Sequence, residues 1–237
     1  MSKRVGLEKV GLYFNVTPGV DLTKVEARAR EEAERNAAIL PGKVAQRLAL
    51  GVGEGLDLPH QRLMASSPKP FDMAYQLSTG DAQALPAMVA AVRSMTNALG
   101  DAMDRSSAAV LIGKEVAITA GDGPIYNIMP LRRLPSMDHD EFMHHWFERH
   151  ASLGEGVEGV RYRQNHVDSE ATGALAGQLG LSFVPMDGLT ESYFDSVESA
   201  CAILSQEVVA VDAIDDEKRF IDHARSQFGI YKTVWRA

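Results

Sequence analysis

One order of elements, strand–helix–strand–strand–helix–strand, occurs twice along this chain of 237 residues, and few folds accommodate it. In the second half, residues 124–133 carry Ile125, Tyr126, Ile128, Met129 and Leu131 and read as a strand. A helix opens at Pro135-Ser136-Met137-Asp138. Ser136 or Asp138 can accept the free first-turn N–H groups, and Asp140 and Glu141 suit the positive helix end. Phe142, Met143, Trp146 and Phe147 then recur at helical spacing toward His150, and Gly154 and Gly156 end the element. Residues 157–167 are strand-like, with Val160 and Tyr162 sharing a face with Gln164 and His166. Residues 168–180 read as a small-residue loop, 189–194 as a strand, and 196–206 as a helix capped by Ser196. A short acidic helix near 214–220 and a last strand at 229–235 complete the half.

The first half gives the same order: a strand at 10–16, a helix at 21–39, strands at 44–52 and 71–78, a helix at 81–98, and a strand at 110–119. The repeat is one of order and spacing, with faint identity, over two units of about 120 residues. The turn-rich stretch Ala120-Gly-Asp-Gly-Pro124 divides them, which predicts one unit over residues 1–121 and another over 122–237. The fold class is therefore α+β, with two ferredoxin-like βαββαβ units. Each unit makes a four-stranded antiparallel sheet with helices on one face, and two sheets packed face to face cover the other. Duplication supplies within one chain what other proteins obtain by dimerising.

Composition narrows the partners. A net charge of −8 and a pI near 5.4 argue against nucleic acid or an anionic membrane, both of which need a basic field. Cys201 is the only cysteine, which removes an intrachain disulfide or cysteine metal cluster and suits a reducing, cytoplasmic setting. The N-terminus has no apolar run of the Sec type, and no stretch approaches the length that spans a bilayer. A homodimer of the whole chain stays open. Gly51-Val-Gly-Glu-Gly55 is no phosphate loop, since Pro59 follows and no Lys-Ser/Thr does. No Gly-x-Ser-x-Gly nucleophile elbow occurs.

Phe142-Met-His-His-Trp-Phe-Glu-Arg-His150, continued by Ala151-Ser-Leu153, resembles the EthD family, whose aromatic helix ends in His-Ala-x-Leu. Val160-Arg-Tyr-Arg-Gln-Asn-His-Val167 is similar to that family's second strand, Asp187–Ser196 to its third, and Asp216–Asp222 to its closing segment. The resemblance covers residues 125–237 and implies a dimeric α/β barrel arrangement. Relatives include proteins of ether and aromatic catabolism and polyketide-tailoring decarboxylases, cyclases and oxidases. Some relatives of this barrel are cofactor-free oxygenases and others bind haem through a histidine. The first half lacks the histidine-bearing motifs, so the polar groups of a site are expected in the second half.

Five of the seven histidines fall between residues 139 and 166, and imidazole both takes and gives protons near neutral pH. His150, His166 and Tyr162 are the candidate catalytic residues, and Trp146, Tyr193, Glu191 and Asn165 the candidate substrate contacts. His150 is otherwise a cap on the helix carbonyls, and the aromatics are otherwise plain core. Glu191 shares a strand face with Tyr193. It either orients a histidine or pairs with Arg161 or Arg163. Glu141, His144 and His145 share a helix face, but no second Glu-x-x-His occurs, so a solvated face is expected there rather than a metal. Without dinucleotide, flavin or metal-cluster fingerprints, the expectation is a cofactor-free acid–base enzyme. It would be a lyase, decarboxylase or isomerase/cyclase acting on a small hydrophobic aromatic or alicyclic oxygenated compound. The alternatives are a non-catalytic binding or accessory protein and a duplication with a filled interior.

Overall fold

A computed structural model describes residues 6–155, 157–182 and 186–237. Gly156, expected to help end a helix, lies outside them, as do residues 1–5 and 183–185. The first unit runs β1 (Gly6–Val16), α1 (Leu22–Ile39), β2 (Ala45–Gly51), a short α2 (Pro59–Leu63), β3 (Met73–Thr79), α3 (Leu85–Leu99) and β4 (Met103–Ala117). The second runs β5 (Ile125–Leu131), α4 (His139–His144), α5 (Ala151–Glu155), β6 (Arg161–Val167), α6 (Ser169–Leu179), β7 (Gly188–Phe194), α7 (Val197–Leu204), α8 (Ile214–Glu217) and β8 (Gly229–Arg236). Two π-helical turns, His145–His150 and Val208–Ala213, join α4 to α5 and precede α8.

The strands close a barrel in the order β1-β3-β2-β8-β5-β7-β6-β4, and β4 returns to β1. Each half contributes four contiguous antiparallel strands. The expected barrel arrangement of the two units is present, and the sheets are more than stacked face to face, because β2 pairs with β8 and β4 with β6. The sheets are joined at both edges, which leaves no strand edge of the barrel open. At one seam Gly113 lies opposite Val167 so closely that a Cβ there would collide with the His166 carbonyl oxygen.

Alternation along each strand divides the residues between two environments. Val10, Leu12 and Phe14 face α1 and α3, and Phe142, Trp146, Phe194 and Phe220 pack in the second unit's layer. Tyr13, Tyr126, Leu189, Tyr193 and Tyr231 fill the barrel. Side chains cap several helix starts: Asp21 accepts from Thr23 N, and, as expected, Ser196 accepts from Ser199 N and Asp138, rather than Ser136, forms a capping box with Glu141.

Residues 168–180 are not a loop but α6. Asp168 caps its start and Gly180, at φ 64°, its end. Thr172, Leu175, Ala176 and Leu179 form its buried stripe, and the last three join the core of the first unit. Thr172 Oγ1 lies 3.0 Å from the Ile112 amide and 3.1 Å from its carbonyl, so α6 clamps the β4–β6 seam from outside. Leu175 and Leu179 are its only bulky apolar residues, so it shows little of an apolar stripe, and its small residues permit close approach. Gly154, expected to end the long helix, lies within α5. Among the described residues, no helix is long and apolar enough to cross a membrane.

Candidate active site

The helix bearing His150 is interrupted where the histidines fall. A π turn carries an extra residue per turn, and here it brings positions 145 and 150 to one acceptor. His150 Nδ1 is 2.9 Å from Asp216 Oδ2, and His145 Nε2 is 3.0 Å from Asp216 Oδ1. In an α-helix two residues five apart diverge by about 140°. Asp216 and Glu217 are presented by α8, behind the second π turn. Glu217, buried, is 3.3 Å from His60 Nε2 and 3.0 Å from His223 Nε2, with His150 Nε2 at 3.9 Å. Burial works to raise both carboxyls, but the neighbouring imidazoles outweigh it. The Asp216 carboxyl lies below the usual carboxylate range, and that of Glu217 well below it.

This cluster opens on a cavity of about 80 Å³ between the second unit's helices and the outer face of its sheet. His60, His150, Glu217, Tyr162, Asn127 and Ser192 supply its polar groups, and Trp146, Leu153, Val157, Val160 and Phe194 are among its apolar ones. Val208, Val209 and Ala213 of the second π turn cover one side, and no residue of that turn is buried. Tyr162 Oη accepts from Trp146 Nε1 at 3.0 Å and Gln164 Nε2 at 2.9 Å. Burial pushes its phenol up to about 12, only partly opposed by its bonds with Gln164, Trp146 and Thr190. Tyr162 is therefore a neutral hydroxyl near pH 7.

The sequence-derived candidates fall into separate places. His150, Tyr162 and Trp146 meet at the cavity. His166 does not reach it. Its ring packs against Trp146 and Phe147, centroids 5.6 and 5.0 Å apart, and its Nε2 is 3.2 Å from Gln164 Oε1. Gln164 thus links His166 to Tyr162, with Nε2 bonded to the phenol. Tyr193, Glu191 and Asn165 lie on the other side of the sheet, because Tyr162 is opposite Ser192 across the β6–β7 ladder. Glu191, fully buried in the barrel, accepts from Gln76 and Tyr193 and lies 3.4 Å from Lys9 Nζ. It orients no histidine, and Arg163 pairs instead with Glu115 and Arg161 with Asp195. Asn165 donates to the Leu189 carbonyl at 3.1 Å, and its Oδ1 is buried without a partner.

Residues absent from the sequence-derived set complete the site. Asp216 and Glu217 lay within a segment recognised for its resemblance, yet nothing in their spacing tied them to His150. His60 comes from the first unit, against the expectation that the second would supply the polar groups. Its one signal was a histidine beside a helix-opening proline. Among the described residues, no group of three or more His, Cys, Asp or Glu could hold a metal ion. Glu141 serves the α4 cap and His145 serves Asp216.

The burial of His166 makes a pH prediction. Desolvation, with His139 adding to it, pushes its imidazole down from 6.5 to about 4. Between those values the unfolded chain binds a proton that the folded chain refuses, so stability falls as pH drops through this window. Urea unfolding at pH 7 and 4.5 is expected to show a loss on the order of 2 kcal/mol more for wild type than for His166→Gln. Parallel losses in the two proteins would refute the assignment.

Two βαββαβ units closing one barrel, with helices outside and a histidine–carboxylate pocket beneath one set of them, define the chain as a dimeric α/β barrel in single-chain form. Residues 134–224, within the second half, match the EthD domain. All four segments that resemble the family, 142–153, 160–167, 187–196 and 216–222, lie within this match. The whole chain is similar in fold to a candidate monooxygenase from Fusobacterium nucleatum subsp. nucleatum, with a TM-score of 0.59, 11% identity, and coverage of 99% of this chain and 94% of the other. It is also similar to a point variant of chlorite dismutase from Candidatus Nitrospira defluvii, at 0.52, 12%, and 98% and 92% coverage. A haem-binding protein from Thermus thermophilus is similar at 0.50, 11%, and 97% and 92% coverage. At such identities the likeness is one of fold. Comparison with curated protein sequences gave no match.

Proposed function

We propose that the chain is an acid–base enzyme acting on a small hydrophobic aromatic or alicyclic oxygenated compound in the cavity beside His150. The observation that carries this reading is the half-buried His150–Asp216 pair at 2.9 Å, whose His150 lines a largely apolar pocket. Asp216 holds the Nδ1 proton and the ring orientation, which leaves Nε2 as the nitrogen that exchanges protons. Tyr162, neutral at pH 7, can donate a hydrogen bond to an oxygen that gains charge as His150 removes a proton. His150 then returns that proton at the end of a decarboxylation, lyase, isomerisation or cyclisation step. The cavity of about 80 Å³ is smaller than the roughly 150 Å³ that accommodates benzene in an engineered protein. A ring-bearing substrate therefore requires the unburied Val208–Ala213 turn to move outward. Cytoplasmic residence belongs to the same reading, with Cys201 free.

One fold neighbour is a haem-binding protein. A histidine with Nδ1 on a carboxylate has the chemistry of an axial ligand. The surroundings do not fit. The cavity is small, no Lys or Arg among the described residues lines it to meet propionates, and the Glu217 carboxylate stands 3.9 Å from His150 Nε2. The chemistry proposed here runs on the side chains of the chain itself.

A panel of aromatic and alicyclic acids and ketones, screened for binding and turnover with wild type and His150→Ala, tests this reading. The expected result is turnover by wild type that is lost in the variant. Binding of equal strength in both proteins, with no turnover in either, would overturn it in favour of a metabolite-binding or accessory role.

A further inference from the structure

We propose a second binding site, for a small singly charged organic carboxylate, in the mouth of the barrel at Arg47. This mouth holds a cavity of about 520 Å³, on the opposite side of the sheet from the His150 pocket. Lys9, Arg47, Arg163, Gln76, Ser78 and Tyr193 are among the residues that line it. A cavity of that size falls in the range of small-molecule sites.

Arg47 is the feature that points to a ligand. Its guanidinium lies over the rings of Tyr193 and Tyr126, 4.6 and 4.9 Å from their centroids. Those rings are themselves stacked 5.0 Å apart. One arm, Nη2, donates to Asp122. The other, Nη1, is buried and has no partner. A guanidinium held over two rings is oriented before any ligand arrives, and it keeps its charge at all relevant pH values. A buried donor without an acceptor calls for one, and a carboxylate oxygen is a strong acceptor for a charged N–H.

The rest of the lining selects the kind of anion. Lys9 is engaged with Glu115 at 2.7 Å, and Arg163 with Glu115 at 3.0 Å, so among these three cations Arg47 Nη1 is the buried donor without a partner. Asp122 and Glu115 line the same space, and Glu191 lies behind them. A dianion meets their repulsion twice over, which disfavours phosphate against a monocarboxylate. Leu7, Ala45, Ala117 and Ala120 give the cavity apolar wall for the body of the acid.

Calorimetric titration of the full chain with sodium benzoate, and separately with inorganic phosphate, tests the proposal in a buffer free of carboxylates. Benzoate is expected to bind wild type, and to bind Arg47→Met about tenfold or more weakly. Ser78→Phe, which puts a ring into the cavity and leaves the contacts of Arg47 in place, is expected to show a similar loss. His150→Ala is expected to bind benzoate as wild type does, which separates this site from the proposed active site. Equal binding by wild type, Arg47→Met and Ser78→Phe would overturn the proposal. So would a loss confined to His150→Ala, tighter binding of phosphate than of benzoate, or no binding by wild type up to the solubility of the salt.

Discussion

Asp216→Asn is expected to lower kcat by about 10²–10⁴-fold on whichever compound the panel shows to be turned over. The carboxylate touches two imidazoles, His145 at 3.0 Å and His150 at 2.9 Å. It acts through His150 and is a positioning residue. An amide can present its NH₂ to Nδ1, and the proton is then driven to Nε2, the nitrogen that must accept one. The imidazolium formed during reaction also loses its counter-charge. The pH profile of kcat therefore distinguishes this role from a structural one. Its shape should change in the variant, because the carboxylate charge that Asp216 keeps beside the two imidazoles is lost. Asp216→Glu should recover part of the rate, because it restores the charge. An unchanged profile with full activity would remove the dyad from the mechanism.

The largest effect on stability is expected inside the barrel. Lys9, 3% exposed, holds Glu115 at 2.7 Å and Glu191 at 3.4 Å. Burial raises the Glu115 carboxyl, but Lys9 and Arg163 outweigh it and hold the group below the usual range. Lys9→Met leaves Glu191, fully buried, hydrogen-bonded only by the neutral donors Gln76 and Tyr193, with Arg163 as its more distant counter-charge. Breaking a buried pair by removing one partner costs about 3–5 kcal/mol. Urea unfolding at pH 7 should show a loss of that size. The Lys9→Met/Glu191→Gln double variant should recover a good part of it, since no uncompensated charge then remains in contact with the deleted amine. A loss below about 1 kcal/mol in the single variant would mean that the pair is not the anchor described.

Periodicity in the sequence located every strand of the barrel to within a few residues, apart from the longer starts of β1 and β4. It also located the element order of both halves, because strand alternation and helical apolar stripes are local signals. Capping chemistry was equally legible at Asp138 and Ser196. Two kinds of feature were not. The first is α6, whose Ala- and Gly-rich stretch lacks the bulky stripe by which a helix is recognised and whose partner is the core of the other half. The second is the assembly of the site. Alternation showed that Glu191 and Tyr193 share a face, but only the β6–β7 register shows that Tyr162 is on the other. The π turn that brings His145 and His150 to Asp216 has no signature in spacing, since residues five apart do not share an α-helical face. His60 and Glu217 meet over 157 positions of sequence, and nothing local to either announces the other.

The two seams of the barrel also bear on how it responds to dilution. When separate subunits close such a barrel, the β2–β8 and β4–β6 ladders are intermolecular and their occupancy follows protein concentration. Here the short connection between β4 and β5 keeps the two sheets at an effective mutual concentration in the millimolar range. Closure is then a unimolecular step, independent of how much protein is present. Each seam is also free of the twofold symmetry that two identical subunits impose, so the second half can carry most of the histidine pocket while the first lends it His60 and supplies Arg47 and Lys9 to the mouth.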